Sequence, residues 1–228
     1  MRILVACEES QAVTIELRKL GHEAYSCDLL PCSGGHPEWH IVGDVVPLLD
    51  GNCWFITQSG IRHHIKGTWD MIIAFPPCTY LTAVSAVRLF NRDHSVKDAE
   101  RYAKGVDAAR FFRTFLDAKC ERVAVENPTM LKCFGLPAPN QAVEPFMFGD
   151  PWKKRTCLWL KGLPKLQPTN MVEPKGLWVG STSGRRDSTV YSRYELKSNR
   201  NQKLRSKTFP GIAKAIAEQW AGPIEKPA

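Results

Sequence analysis

The sequence predicts an α/β fold in which a mostly parallel central sheet is flanked by helices. Three observations carry that expectation. Short β-type runs recur along the first 160 residues, and segments of helical period separate several of them. The chain opens with a β–α–β unit, as nucleotide-binding α/β folds commonly do. WDMIIAF (69–75) is a continuous apolar run of strand length, which suits a central strand buried on both faces.

Each element follows from local pattern. RILVA (2–6) is the first strand. In QAVTIELRKLG, Val13, Leu17 and Leu20 recur at helical spacing and Gly21 closes the segment. HEAYSCD is the next strand and ends on Asp28. A loop rich in Pro, Gly and Ser (LLPCSGGHPEW) leads to a short strand, HIVGDV, that contains Asp44. Residues 53–57 and 61–65 predict a small hairpin around Ser59-Gly60. Pro76-Pro77 stops the apolar strand. A long helix is expected over 96–118, with Val106, Ala109, Arg110 and Arg113 marking its turns and Phe111, Phe112 and Phe115 supplying bulk. RVAVENP (122–128) and TCLWL (156–160) are further strands. Residues 161–208, rich in Lys, Arg, Ser, Pro and Asn, predict loops with short strands. FPGIAKAIAEQWAG fits a final amphipathic helix, with Pro210 in its first turn and Gly222 at its end. No internal repeat is present.

Composition narrows the function classes. The 228 residues allow one ample domain, or one with a small appendage. An apolar content of 43% beside 24% charged residues excludes a wholly disordered chain. No apolar window approaches spanning length, and the stretch in MRILVACEES is too short for a secretion signal. The eight cysteines lack the density of a disulfide scaffold and read as cytosolic thiols, so a cytoplasmic protein with no membrane partner is expected. Residues 1–149 hold 15 basic and 17 acidic side chains, whereas residues 150–228 hold 16 and 6. A near-neutral body with a basic C-terminal third fits an enzyme core carrying a polyanion-binding face. The same charge would also suit a merely solvated surface.

The chemistry-bearing residues fall at strand ends, where open parallel sheets bind ligands. An acid closing the second strand, Asp28, is placed to accept from a ribose diol, and Asp44 after the third can accept from an adenine amine. Cys78 follows two prolines that stiffen the backbone and offer no amide donors. Chemistry at carbon 5 of a pyrimidine needs such a thiol, because addition at carbon 6 makes the ring nucleophilic. Glu126, at another strand tip, could donate a proton at ring nitrogen 3. Each has a plainer alternative: a buried small hydrophobe for Cys78, a cap for Glu126.

Taken together, these residues resemble the cytosine-5 DNA methyltransferases, and more closely a compact group of them found in phages and prophages. FPPC (75–78) is similar to the nucleophile motif, ENP (126–128) to the acid motif, and ILVACEES with Asp28 and Asp44 to the cofactor motifs. KKRTCLWL (153–160) resembles the basic strand that helps hold the target base, and RSKTFPGIAKAIAEQW the closing helix. The resemblance implies a Rossmann-like, S-adenosylmethionine-dependent methyltransferase fold. It further implies methyl transfer to carbon 5 of cytosine in DNA, with Cys78 as nucleophile, Glu126 as acid and Arg155, or its neighbour Lys154, on the base or its phosphate. Ala6, Cys7, Glu8, Glu9, Asp28, Asp44, Phe75 and Pro76 would line S-adenosylmethionine. A catalytic core at 1–160, a short basic target-recognition region at 161–208 and a completing helix at 209–228 are implied. Lys154, Arg185, Arg186, Arg193, Lys203 and Arg205 would contact DNA.

Two departures stand out. CEESQ lacks the glycines of the usual cofactor loop, and residues 161–208 are short for a target-recognition region, implying a short or relaxed site. No obligate protein partner is evident. Two rival functions remain at this point. One is Cys-dependent carbon-5 modification of free pyrimidine nucleotides, against which the basic segment argues. The other is a non-catalytic DNA-binding or anti-restriction protein, which would need neither Cys78 nor Glu126. Cys27, Cys32, His36 and His40 have the spacing C-x4-C-x3-H-x3-H, close to a zinc set. Cys27 should point away from Asp28 along the strand, however, and the loop with Trp39 reads as a mobile substrate loop, so no metal is expected.

Overall fold

The computed structural model describes residues 1–174, 177–178 and 207–224, with only the backbone of 177–178. Strands buried on both faces build the centre of its sheet. The strands are β1 (Arg2–Ala6), β2 (Glu23–Asp28), β3 (His40–Val42), β4 (Cys53–Ile56), β5 (Arg62–Ile65), β6 (Met71–Ala74), β7 (Val123–Asn127), β8 (Gln141–Val143), β9 (Trp152–Lys153), β10 (Thr156–Lys161) and β11 (Leu177–Trp178). Seven form the main sheet in the order β3-β2-β1-β6-β7-β10-β8. β3, β2, β1, β6 and β7 are parallel, and β10 runs antiparallel to both of its neighbours. Chain order reverses at β1, which has β2 on one side and β6 on the other. β4 and β5 form the expected hairpin, and β9 pairs with β11.

The pleat sorts side chains into two cores. Leu4, Ala6, Ile72, Ala74, Val123, Val125, Cys157 and Trp159 face one layer, which holds the hairpin and helix α3. Ile3, Val5, Met71, Ile73, Ala124 and Leu158 face the other, which holds helices α1 and α4. β6 is buried along its whole length, as a two-sided apolar run requires.

The helices are α1 (Ala12–Lys19), α2 (Ala86–Leu89), α3 (Ala99–Leu116) and α4 (Pro210–Ile216). Asp98 caps α3, its Oδ1 accepting from Arg101 N–H at 2.9 Å. The buried line of α3 is Gly105, Ala109, Phe112 and Phe115, while Arg110 and Arg113 lie on the exposed side. The expected stripe was therefore rotated from the real one. The final helix leaves α geometry after Ile216 and continues as a π-helical turn over Ala217–Ala221, ended by Gly222 at φ 67°. β8 and β9 had no strand signature, being two or three residues long.

The stretch following β10 packs on the body. Pro164 O accepts from the Trp220 indole at 3.0 Å, and the Gln141 side chain exchanges hydrogen bonds with Leu166 backbone at 2.7 and 2.8 Å. Arg185, Arg186, Arg193, Lys203 and Arg205 lie outside the described residues. Among the described residues, no helix is long and apolar enough to cross a membrane.

A glycine in the first turn of α4 lets the helix lie against the backbone at Phe148. Gly211 N–H donates to Asp150 Oδ2 at 2.9 Å, and a Cβ at this position would lie 2.0 Å from the Phe148 carbonyl oxygen. Gly211→Ala should therefore destabilise the fold by about 1–3 kcal/mol, because a backbone carbonyl cannot rotate away like a side chain. Urea unfolding measures this; an unchanged midpoint would mean that α4 shifts freely on Phe148.

Candidate functional site

The parallel strands deliver their carboxyl ends to one edge, and the predicted residues gather there in two groups. The first surrounds the reversal at β1. Cys7 follows β1 at φ 58°, a left-handed conformation that glycine adopts freely, and Gln11 before α1 does the same at φ 58°. The loop CEESQ thus makes glycine-type turns without glycine. The Cys7 thiol is pushed up in pKa, first by burial and then by the negative charges of Asp28 and Asp44 with Cys27. Asp28 and Asp44 therefore both lie near the Cys7 side chain, beside the end of β1. Each uses Oδ1 to accept from the backbone two residues on: Leu30 N–H at 2.9 Å and Val46 N–H at 3.0 Å. Asp44 lies just past β3 rather than in it.

Three expected members of this group also bond within the protein. Ala6 is wholly buried, and its carbonyl accepts from Phe75 N–H at 2.9 Å. Glu8 turns its carboxylate into the start of α1, accepting from Val13 N–H at 2.7 Å and from the Thr14 hydroxyl at 2.8 Å. Burial nonetheless raises its pKa to about 7. Glu9 contributes its backbone carbonyl, which accepts from Ser33 N–H at 2.7 Å. Exposed apolar side chains that sequence patterning passed over flank the two aspartates: Leu29 is 75% exposed and Leu30 54%, with Val42 and Val46 also exposed. An exposed Leu immediately after a strand-end acid is the signal that could have found them.

The second group lies across β6 and β7, which are neighbours. Phe75 and Pro76 leave β6, and Cys78, half-buried, follows in a turn whose carbonyl accepts from Leu81 N–H at 3.0 Å and Thr82 N–H at 3.2 Å. Glu126 and Asn127 close β7. Asn127 is 1% exposed, and its Nδ2 donates to Pro76 O at 2.8 Å. That bond ties the thiol's turn to the acid's strand. It was invisible in sequence, because neither proline nor asparagine advertises a partner fifty-one residues away.

A narrow pocket opens on Glu126, with Phe75, Lys154, Thr156, Leu158 and Phe209 in its walls. Burial raises the Glu126 pKa, and the Lys154 ammonium pulls it back down. Lys154 Nζ stands 5.9 Å from the centre of the Phe209 ring. Arg155, expected with Lys154 at the base or its phosphate, is exposed; burial raises the pKa of Glu144 at the end of β8, and the charge of Arg155 is among those that lower it. Thr156 and Leu158 share a face of β10, and Lys154, just before that strand, joins them in the pocket wall, whereas Arg155 does not. Glu144, whose Oε2 is buried without a hydrogen-bond partner, was missed because β8 was.

The suspected zinc residues do other work. His40 bonds Ser26 Oγ and Leu30 O, the Cys27 thiol faces Gly43 O, and His36 stacks on Trp39 with ring centres 3.9 Å apart. Among the described residues no cluster of three metal-ligating side chains occurs. The loop carrying Trp39, expected to be mobile, is pinned by Gln11.

No protein-family model matches the chain, and no curated protein does. Solved structures do match. One, described as a DNA modification methyltransferase encoded within a prophage (E. coli), is similar at a TM-score of 0.42 and 12% sequence identity. The match covers 75% of this chain and 51% of that one, so this chain spans about half the length of its neighbour.

The tether at Asn127 makes a stability prediction. Asn127→Ala leaves the Pro76 carbonyl without its donor and should cost about 1–3 kcal/mol. Asn127→Asp should cost more, because a carboxylate would face that carbonyl. Chemical denaturation at neutral pH gives the ranking; an aspartate variant as stable as wild type would show that the bond does not hold the turn.

Proposed function

We propose that this chain is an S-adenosylmethionine-dependent DNA methyltransferase acting at carbon 5 of cytosine, on a Rossmann-like fold. One observation carries the reading. A thiol and a protonatable carboxyl stand at the tips of adjacent parallel strands, with Asn127 bonding the thiol's turn to the acid's strand. The reversal of strand order at β1 supports the fold, since ligands in such sheets bind at that reversal, outside the carboxyl ends.

The group around β1 fits S-adenosylmethionine. Asp28 and Asp44 suit the ribose diol and the adenine amine, Leu29, Leu30, Val42 and Val46 offer apolar surface beside them, and Cys7 supplies the left-handed turn. When bound, S-adenosylmethionine supplies an electrophilic methyl group. The protein's own residues do the rest. A cytosine leaves the stack of the DNA and enters the site. The Cys78 sulfur, as thiolate, adds to carbon 6, and Glu126 gives its proton to ring nitrogen 3 as negative charge reaches the ring. The carbon-6 adduct is then electron-rich at carbon 5, which would take the methyl group as the methyl carbon–sulfur bond breaks and a neutral thioether leaves. Water removes the carbon-5 proton, the carbon 5–carbon 6 double bond re-forms, and the Cys78 thiolate leaves. The nitrogen-3 proton returns to Glu126. Lys154, beside Glu126, is placed to meet the phosphate of the flipped nucleotide.

Cys78→Ala should abolish methylation while leaving cofactor binding close to intact, because the thiol acts only on the base. DNA containing 5-fluorocytosine should trap the wild-type protein covalently, since fluorine cannot leave as a proton does. Denaturing electrophoresis reads the trap. Turnover by the alanine variant, or absence of a trapped complex under turnover conditions, would remove the covalent mechanism.

The acid predicts a pH dependence with a definite sign. Glu126 donates only while protonated, so the rate falls as pH rises through its elevated pKa. Lys154→Met removes the charge that lowers this pKa and should move the falling limb to higher pH. Glu126→Gln should abolish the limb and slow the reaction by a factor on the order of 10²–10⁴. A limb unmoved in the Lys154 variant would separate that lysine from the acid.

A further inference from the structure

Three polar side chains are wholly buried where an apolar core would serve the fold better: Gln11, Ser26 and His40, all at 0% exposure. They form one chain of hydrogen bonds. Gln11 Nε2 donates to Ser26 Oγ at 3.3 Å, Ser26 Oγ stands 2.8 Å from His40 Nδ1, and His40 Nε2 stands 2.9 Å from Leu30 O. A single direction satisfies every member. Gln11 donates to Ser26, Ser26 donates to His40, and His40, neutral with its proton on Nε2, donates to the Leu30 carbonyl. Burial keeps His40 neutral by lowering its pKa. The chain begins in the loop between β1 and α1, crosses β2 and β3, and ends two residues after Asp28.

Gln11 has a second grip on the same region. Its Oε1 accepts from His36 N–H at 3.1 Å and its Nε2 donates to His36 O at 2.9 Å. Gly34 lies against it so closely that a Cβ there would sit 2.6 Å from Gln11 Cβ and 2.7 Å from Ser10 O. Gln11 makes these contacts from a left-handed backbone, a conformation that costs energy in a non-glycine residue and persists only where its surroundings enforce it. Ser33 N–H bonds Glu9 O alongside. The loop after Asp28 is thus fastened to the loop after β1 at several points. These are the two loops that bear Cys7 and Asp28.

We infer that Gln11, Ser26 and His40 are positioning residues for cofactor binding: their hydrogen-bond chain fixes the Asp28–Leu30 turn against the loop between β1 and α1. The inference rests on the cofactor assignment proposed above and deepens it. None of the three need touch the cofactor. They act through the Leu30 carbonyl and through His36, and the turn they hold carries both the Asp28 carboxylate and the exposed Leu29 side chain.

Titration calorimetry with S-adenosylmethionine tests this directly, alongside steady-state methylation. Gln11→Ala and His40→Ala should each weaken binding on the order of tenfold, as a broken buried hydrogen-bond chain does. Turnover at saturating cofactor should stay within about twofold, so the loss appears in KM rather than in kcat. His40→Gln, which keeps a donor able to reach the Leu30 carbonyl, should recover much of the affinity. The double variant should lose less than the sum of the two single losses, since both interrupt one chain. Gly34→Ala, which alters none of the three residues but pushes Gln11 aside, should weaken binding in the same way and covers the case in which a core variant fails to fold. Folded variants that bind as tightly as wild type would overturn the inference, as would equal loss in His40→Gln and His40→Ala. A wild-type protein that binds no S-adenosylmethionine would instead overturn the proposed function, and this inference with it.

Discussion

Parallel register is the constraint on which the rest depends. Because β1, β2, β3, β6 and β7 run the same way, each of their carboxyl ends must reach the same edge of the sheet. Residues far apart in the chain become neighbours without any contact designed for that purpose. Cys7, Asp28 and Asp44 converge around β1, and the Cys78 turn meets Glu126 and Asn127 across β6 and β7. The apolar pleat enforces this: slipping β1 by one residue would exchange its two faces, sending Leu4 to the layer of α1 and α4.

Within that frame, polar bonds between loops add direction to the apolar packing at the edge. Asn127 fastens the Pro76 carbonyl, and the buried chain from Gln11 to Leu30 fastens the turn after Asp28. Both use buried amides, which are costly when unpaired and directional when paired. Such bonds fix where a loop stands more finely than apolar contact can. This division of labour suits the proposed site, which would have to place a thiol, an acid and a methyl donor against one ring.

The strands β1, β2, β6 and β7 and the helix α1 were legible in the sequence because their patterns are long and regular. The strand-end acids and Cys78 were legible because a turn signal follows each strand. What escaped notice was polar and non-local. Ser26 and His40 look like ordinary strand residues until the register of β2 and β3 sets them side by side. Glu8 had the position of a cofactor ligand, and only the start of α1 shows where its carboxylate is spent. The pair His36 and His40 had the spacing of metal ligands, but the loop's path separates their tasks. Lys154 and Arg155 were interchangeable in sequence, and only the folded chain shows that Lys154 lines the pocket on Glu126.

The central claim is that this edge transfers a methyl group to carbon 5 of cytosine. Incubation with S-adenosylmethionine carrying a tritiated methyl group and mixed-sequence DNA, followed by digestion to nucleosides, tests it most directly. Tritium is expected in 5-methylcytosine, and none there when Cys78→Ala is used. Tritium in a nucleoside methylated on an exocyclic amine, or in no nucleoside from a protein that binds both DNA and cofactor, would contradict it.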